Sequence, residues 1–386
     1  MRYTEAGDAG LERSTSELMD AIVARARDIE GIESVLLGGS LGRGEGTTVH
    51  EPGGDRLASD VEIYLVGRVS SLRSAARRLE TDLASRHGAE ISAAWLHPDM
   101  LRRGRAKNLS WRPSRTIRLY ELATGSRTLL GTSPTVRPID PATLPLGEGV
   151  RLILNRLAEA APELATGSGD AARWTDKILI ACGDTLLLAT GAYTVRYRDR
   201  VARLAAMDAP WPMPEGWRGA VIAAYERKLS GSAADDGDAR GDDGVVVATL
   251  AAAAERVTGQ PLEPIDSFPA RFVAAGARRP ELLRYLPPIG PNATFEGLVL
   301  LARSWRAGHR VTARMLGRAL AGRPLSLALQ ATALPLYLGI VRAEPMLVRA
   351  AGEALVWAGL PADEVGAADE PARLADLLRR RWSVAT

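Results

Sequence analysis

Two short apolar runs near the N-terminus constrain this chain more than any other part of its 386 residues. The first, Val35-Leu36-Leu37, ends in Gly38-Gly39-Ser40 and continues Leu41-Gly42-Arg43-Gly44-Glu45. The second, Val61 to Val66, is entered through two carboxylates, Asp60 and Glu62, spaced i and i+2. Strand alternation puts both on one face, about 6–7 Å apart along the backbone at ~3.3 Å per residue. Like charges held that close repel unless a cation lies between them. Oxygen-only ligands suit Mg²⁺, which keeps several waters and binds one or two carboxylates together with substrate phosphates. The Gly-Gly-Ser turn suits the phosphates: glycine lets backbone approach an anion, turn N–H groups point at it, and a serine hydroxyl adds a donor.

The pair of segments resembles the nucleotidyltransferase superfamily that includes DNA polymerase beta and the aminoglycoside nucleotidyltransferases. Its pattern is an apolar strand, Gly-Ser opening a helix, then a strand carrying Asp-x-Asp or Asp-x-Glu, here Gly39-Ser40 with Arg43-Gly44 following and Asp60-Val61-Glu62. The match covers roughly the first third of the chain. It implies an α+β N-terminal nucleotidyltransferase-like domain with a mixed sheet, and an activity that moves a nucleoside monophosphate from a nucleoside triphosphate to a hydroxyl or other nucleophile of a small molecule, releasing pyrophosphate. By resemblance, Gly39 and Ser40 hold phosphates with Arg43 adding charge, the alternative for Arg43 being a structural salt bridge to Glu45 or Asp60, and Asp60 and Glu62 coordinate Mg²⁺ or Mn²⁺. Glu90, at the start of a third expected strand, completes the metal site or takes the proton of the attacking hydroxyl; the plain alternative is a solvated residue at a strand entrance. Lys177, one of only three lysines in an arginine-rich chain, reaches the triphosphate from the helical half, the alternative being a solvated lysine. Other acceptors (protein or RNA) and a silent nucleotide-binding sensor are the competing functions, and the plainest alternative is that Asp60 and Glu62 are a solvated strand entrance of an α/β domain. No Gly-Lys-Ser/Thr follows the glycines, which excludes a P-loop.

Between Ser40 and Asp60 the chain is long for such a site. Val49 to Arg56 contains Pro52-Gly53-Gly54, read as an exposed loop. Helical spacing predicts a helix over Leu11 to Ile29 and an amphipathic one over Ser70 to Arg86, with a third strand over Ala89 to Leu96. Thr116 to Leu122 and Arg127 to Gly131 read as further elements of this domain. Pro134, Pro138, Pro141 and Pro145 then punctuate a linker. The expected organisation is a nucleotidyltransferase domain over 1–140, a helical closing domain over 146–230, a flexible acidic loop over 231–244 and an all-α region over 245–386. Tyr193 and Arg196 to Arg200 form a polar aromatic cluster that either borders a substrate pocket or joins helices.

The chain carries 49 basic and 46 acidic side chains, a balance that argues against a protein built mainly to coat nucleic acid. Its single cysteine, Cys182, excludes an internal disulfide and falls in an apolar helical stretch, where a buried thiol is expected. Met1 to Asp8 lacks the apolar core of a signal peptide. Leu325 to Val341 is uncharged but short of the ~20 residues of a membrane span, and Pro335 inside it predicts a helix pair broken at the proline. The expectation is a cytoplasmic protein without a membrane partner.

Overall fold

The computed structural model describes residues 2–5, 9–51, 54–87, 89–103, 116–167, 171–232, 243–279, 282, 293–322, 325–366 and 370–385. It is a mixed α/β structure in two compact units. The first comprises Met1–Leu144, Gly191–Ala206 and Tyr225–Ser232, and the second Pro145–Thr190, Met207–Ala224 and Ala233–Thr386. The boundary at Leu144 falls within the proline run. Residues 191–206 and 225–232, placed in the closing domain by the sequence, pack with the N-terminal unit.

The first unit runs α1 (Ala9–Arg27), β1 (Ser34–Leu37), α2 (Gly39–Arg43), β2 (Thr48–Glu51), β3 (Gly54–Leu57), β4 (Val61–Val66), α3 (Leu72–His87), β5 (Ile91–Leu96), α4 (Pro98–Arg103), α5 (Ile117–Gly125) and β6 (Arg127–Gly131). Four strands form one sheet in the order β5-β4-β1-β6. β1 pairs antiparallel with both β4 and β6, whereas β4 and β5 run parallel, joined by α3 as the crossover. The sheet is mixed, as expected.

Every residue of β1 is buried, because the sheet is covered on both faces. Val35, Leu37, Val61, Ile63 and Leu65 pack against Leu18, Met19 and Ile22 of α1 and Ala76, Leu79 and Leu83 of α3. Leu36, Tyr64, Val66 and Leu96 face the other way, onto Leu101 of α4 and Leu119 and Leu122 of α5. Period-2 alternation therefore sends Asp60 and Glu62 to the α5 side with Tyr64.

The stretch read as an exposed loop is instead a hairpin: Thr48 pairs with Leu57 and Glu51 with Gly54 across a two-residue tip. Pro52 and Gly53 lie outside the described residues. The hairpin base is buried, Thr48 to 1 % exposure, and the Thr47 hydroxyl donates to the Lys228 carbonyl at 2.8 Å. β-branched Thr47, Thr48 and Val49 favour the pleated backbone, a signal outweighed in the sequence by the Pro-Gly-Gly turn beside it.

In the second unit the described elements are helical, beginning with α6 (Leu146–Thr166) and α7 (Ala171–Ala189). Cys182 is fully buried in α7, outside any disulfide within the chain. Leu325–Val341 is one helix, not a pair, and Pro335 lies inside it. Proline there removes an i→i−4 bond at a cost of ~3 kcal/mol or more. Ala331, Leu334, Leu336 and Leu338, all at 0 % exposure, supply the packing that keeps the helix continuous. No helix among the described residues is long and apolar enough to cross a membrane. Residues 233–242 of the acidic segment lie outside the described residues; Asp243 opens the helix Asp243–Thr258.

Candidate active site

The site is built where β1 hands over to α2. The Gly38 N–H donates to the Glu62 carbonyl at 2.8 Å, which carries the β1–β4 ladder one step past the last strand pair, Leu37 with Ile63. Gly39 then turns with φ +61°, a conformation that costs other residues ~1–2 kcal/mol. Gly44, also left-handed at φ +77°, ends the short helix and donates to Leu41 O. Both glycines of the turn also make room for β4 side chains. A Cβ at Gly38 would stand 2.7 Å from Cε2 of Tyr64, and one at Gly39 would stand 2.7 Å from Oε1 of Glu62.

The Glu62 carboxylate thus lies against the Gly39 turn. Its Oε2 accepts the Tyr64 hydroxyl at 2.8 Å, and the Tyr64 oxygen in turn accepts Nε of Arg118, from α5, at 3.2 Å. Burial pushes the Glu62 carboxyl above its ordinary range, and the Asp60 charge pushes it further; Tyr64 and Arg118 oppose the shift only in part. Asp60 is partly buried at the mouth of β4. Neither carboxylate forms an ion pair with a cationic side chain among the described residues. Two carboxylates, one destabilised as an anion by the other, are what a divalent cation would relieve. The described residues hold no cluster of three or more metal-ligating side chains; Asp60 and Glu62 are the two carboxylates here, and Mg²⁺ commonly takes most of its ligands from water and phosphate.

Ser40 sits at the turn but is 7 % exposed, and its hydroxyl donates to Oγ of Ser59 at 3.0 Å. Ser59 Oγ also accepts the Thr47 N–H at 2.8 Å, so the two serines stitch α2 to the hairpin and to the entrance of β4.

Arg43 faces away from the acidic pair into a buried charged cluster. Its side chain is 4 % exposed, with Nε 3.2 Å from Glu45 Oε2 and Nη1 3.7 Å from Glu121 Oε2. Glu121 Oε1 also takes Arg200 Nη2 at 2.5 Å and the Tyr193 hydroxyl at 2.7 Å. Arg200, in α8 (Tyr197–Ala206), is 1 % exposed and donates to the carbonyls of Thr194 and Val195. The Tyr197 ring lies 5.0 Å from the Arg43 guanidinium and 4.8 Å from that of Arg200. Burial raises the Glu121 carboxyl, but the two arginines more than offset it and hold the group below its usual range. Tyr193 and Arg200 are therefore a junction with satisfied polar groups, the second of the two readings of that cluster.

Glu90 is exposed and precedes β5, its carbonyl accepting the Val61 N–H at 2.8 Å. Asp60, Glu121 and Arg118 are the charges that act most strongly on Glu62. The β5 position level with Glu62 is Ser92. Lys177 belongs to the second unit, where its ammonium stands 4.0 Å from the Trp174 ring centroid one turn back on α7.

Arg118 is the site residue that sequence reasoning missed. It is exposed, stacks 4.9 Å from the Tyr64 ring centroid, and is the cation whose field reaches Glu62. The available signal was Arg118 and Glu121 at i and i+3, which shows only that one helix face carries both charges. No protein-family model, characterised protein or solved structure matches this chain.

Proposed function

We propose that this protein is a divalent-cation-dependent nucleotidyltransferase that moves a nucleoside monophosphate from a nucleoside triphosphate to a hydroxyl or other nucleophile of a small molecule. The observation that carries the reading is the Glu62 carboxylate lying against the Gly39 turn, with the Asp60 charge acting on it and no ion pair to either acid among the described residues. Asp60 and Glu62 would hold Mg²⁺. When bound, that ion supplies charge neutralisation on the transferred phosphate and on the departing pyrophosphate.

The chain's own residues do the rest. Gly39 carries no side chain of its own, which would let its N–H and that of Ser40 approach the phosphates. Ser40 and Ser59 fix the turn against β4. Arg118 is the exposed cation beside the acids and takes the phosphate-contact role expected of Arg43. Arg43, with Glu121 and Arg200, anchors α2 from below.

Incubating the protein with each of the four common triphosphates, Mg²⁺ and a panel of hydroxylated metabolites tests the proposal by pyrophosphate release. Release that requires one triphosphate, the cation and an acceptor supports it. Label accumulating on protein or RNA in cell extract would move the acceptor to a macromolecule. Tight cation-dependent nucleotide binding without pyrophosphate would make the protein a sensor.

A further inference from the structure

Tyr64 has no part in the nucleotidyltransfer reading so far, yet it is the best-fixed group at the site. Its ring is 3 % exposed, packed in the cluster of Leu36, Leu119 and Leu122 and seated over Gly38, where any side chain would collide with it. Arg118 covers the ring from α5. The hydroxyl's two hydrogen bonds have a forced direction. A guanidinium can only donate, so the Tyr64 oxygen accepts from Arg118 Nε. The single hydroxyl proton is then committed to Oε2 of Glu62, 2.8 Å away.

We infer that Tyr64 is a positioning residue for the cation site: oriented by Arg118, its hydroxyl holds Glu62 by Oε2 and leaves Oε1, the oxygen beside Gly39, as the one offered to the ion. This rests on the reading of Asp60 and Glu62 as cation ligands. Hydrogen-bonded partners of ligating carboxylates set their aim, and removing one typically weakens metal affinity 10–100-fold. The arrangement also gives the consecutive glycines separate tasks. Gly38 admits the ring that aims the carboxylate, and Gly39 admits the carboxylate itself.

The test is Mn²⁺ binding to the full chain, followed by loss of the free-ion electron paramagnetic resonance signal and needing no nucleotide or turnover. Tyr64→Phe keeps the ring over Gly38 and removes the hydroxyl. It is expected to weaken Mn²⁺ binding by about tenfold, with a melting temperature close to that of the unaltered protein. Arg118→Gln, an exposed change, is expected to weaken it in the same direction. The double variant should be no weaker than Tyr64→Phe alone, since both changes cut one chain of hydrogen bonds. Mn²⁺ affinity in Tyr64→Phe equal to or above that of the unaltered protein overturns the inference, as does full additivity of the two changes. Asp60→Asn separates the levels: if it still binds Mn²⁺ normally, the acidic pair is not the cation site and both readings fall. If Asp60→Asn loses the ion while Tyr64→Phe retains it, the positioning role alone is lost.

Discussion

Gly39 and Glu62 meet where β1 ends beside β4, with the carboxylate Oε1 in the space a side chain at position 39 would take. On the proposed reading, that contact ties the turn that would face the phosphates to the acid that would hold the ion. Gly39→Ala should therefore harm the site twice. The left-handed backbone costs ~1–2 kcal/mol of stability, and the new methyl must displace Oε1. Activity is expected to fall by at least about a hundredfold, more than the stability loss accounts for, with urea unfolding and turnover measured on the same preparation. A well-folded, fully active Gly39→Ala protein would show that the contact has no role.

Glu62 makes a pH prediction whose sign is fixed. Its carboxyl is raised above the ordinary value of about 4.5 by burial and by Asp60. The folded state therefore binds more protons than the unfolded state between 4.5 and the raised value, and stability falls as pH rises through that window. Glu62→Gln should remove this loss, so its melting temperature exceeds that of the unaltered protein near pH 7 and converges on it below pH 4.5. A gap that widens toward acid would reverse the assignment.

Glu121 behaves oppositely. It is held below its usual range against burial by Arg43 and Arg200, so its contribution is present above about 4.5 and is lost as pH falls through the lowered value. Glu121→Gln leaves two nearly fully buried guanidiniums without their shared carboxylate. Removing one partner of a buried ion pair costs about 3–5 kcal/mol. The urea midpoint should drop accordingly, while KM for triphosphate in the remaining folded protein stays within about twofold, because Arg43 contacts protein and not substrate. A raised KM with an unchanged midpoint would return Arg43 to the phosphates.

Glu90 is exposed at the entrance of β5. Glu90→Gln should leave turnover within about twofold and stability within about 0.5 kcal/mol, the usual range for a surface change. A hundredfold loss of turnover would instead make it a third acid of the site.

Much of the first unit was legible in the sequence because its signals are local. Apolar runs at Val35 to Leu37 and Val61 to Val66, helical spacing before Gly31 and after Ser70, and the proline run near 140 each declare an element by themselves. What the sequence hid depends on partners far along the chain. The sequence offers Arg43 a phosphate or a salt bridge to nearby Glu45; the choice is settled by Glu121 and Arg200, 78 and 157 positions further on, which close over it. Arg118 reads as a surface charge until α5 lands on the face of β4 that carries Tyr64. Pro335 looks like a break because the packing around its helix is not written in its own neighbourhood.

The central claim is that bond breaking occurs between the α- and β-phosphates at the acidic pair. Parallel reactions with α-labelled and γ-labelled triphosphate, in the protein and in Asp60→Asn, measure this directly. The α-label should appear on the acceptor and the γ-label in pyrophosphate, both dependent on the cation. Asp60→Asn should do neither while melting at the same or a higher temperature, since it relieves repulsion with Glu62. Transfer of the γ-label, its release as orthophosphate, or undiminished α-label transfer by Asp60→Asn would contradict the account.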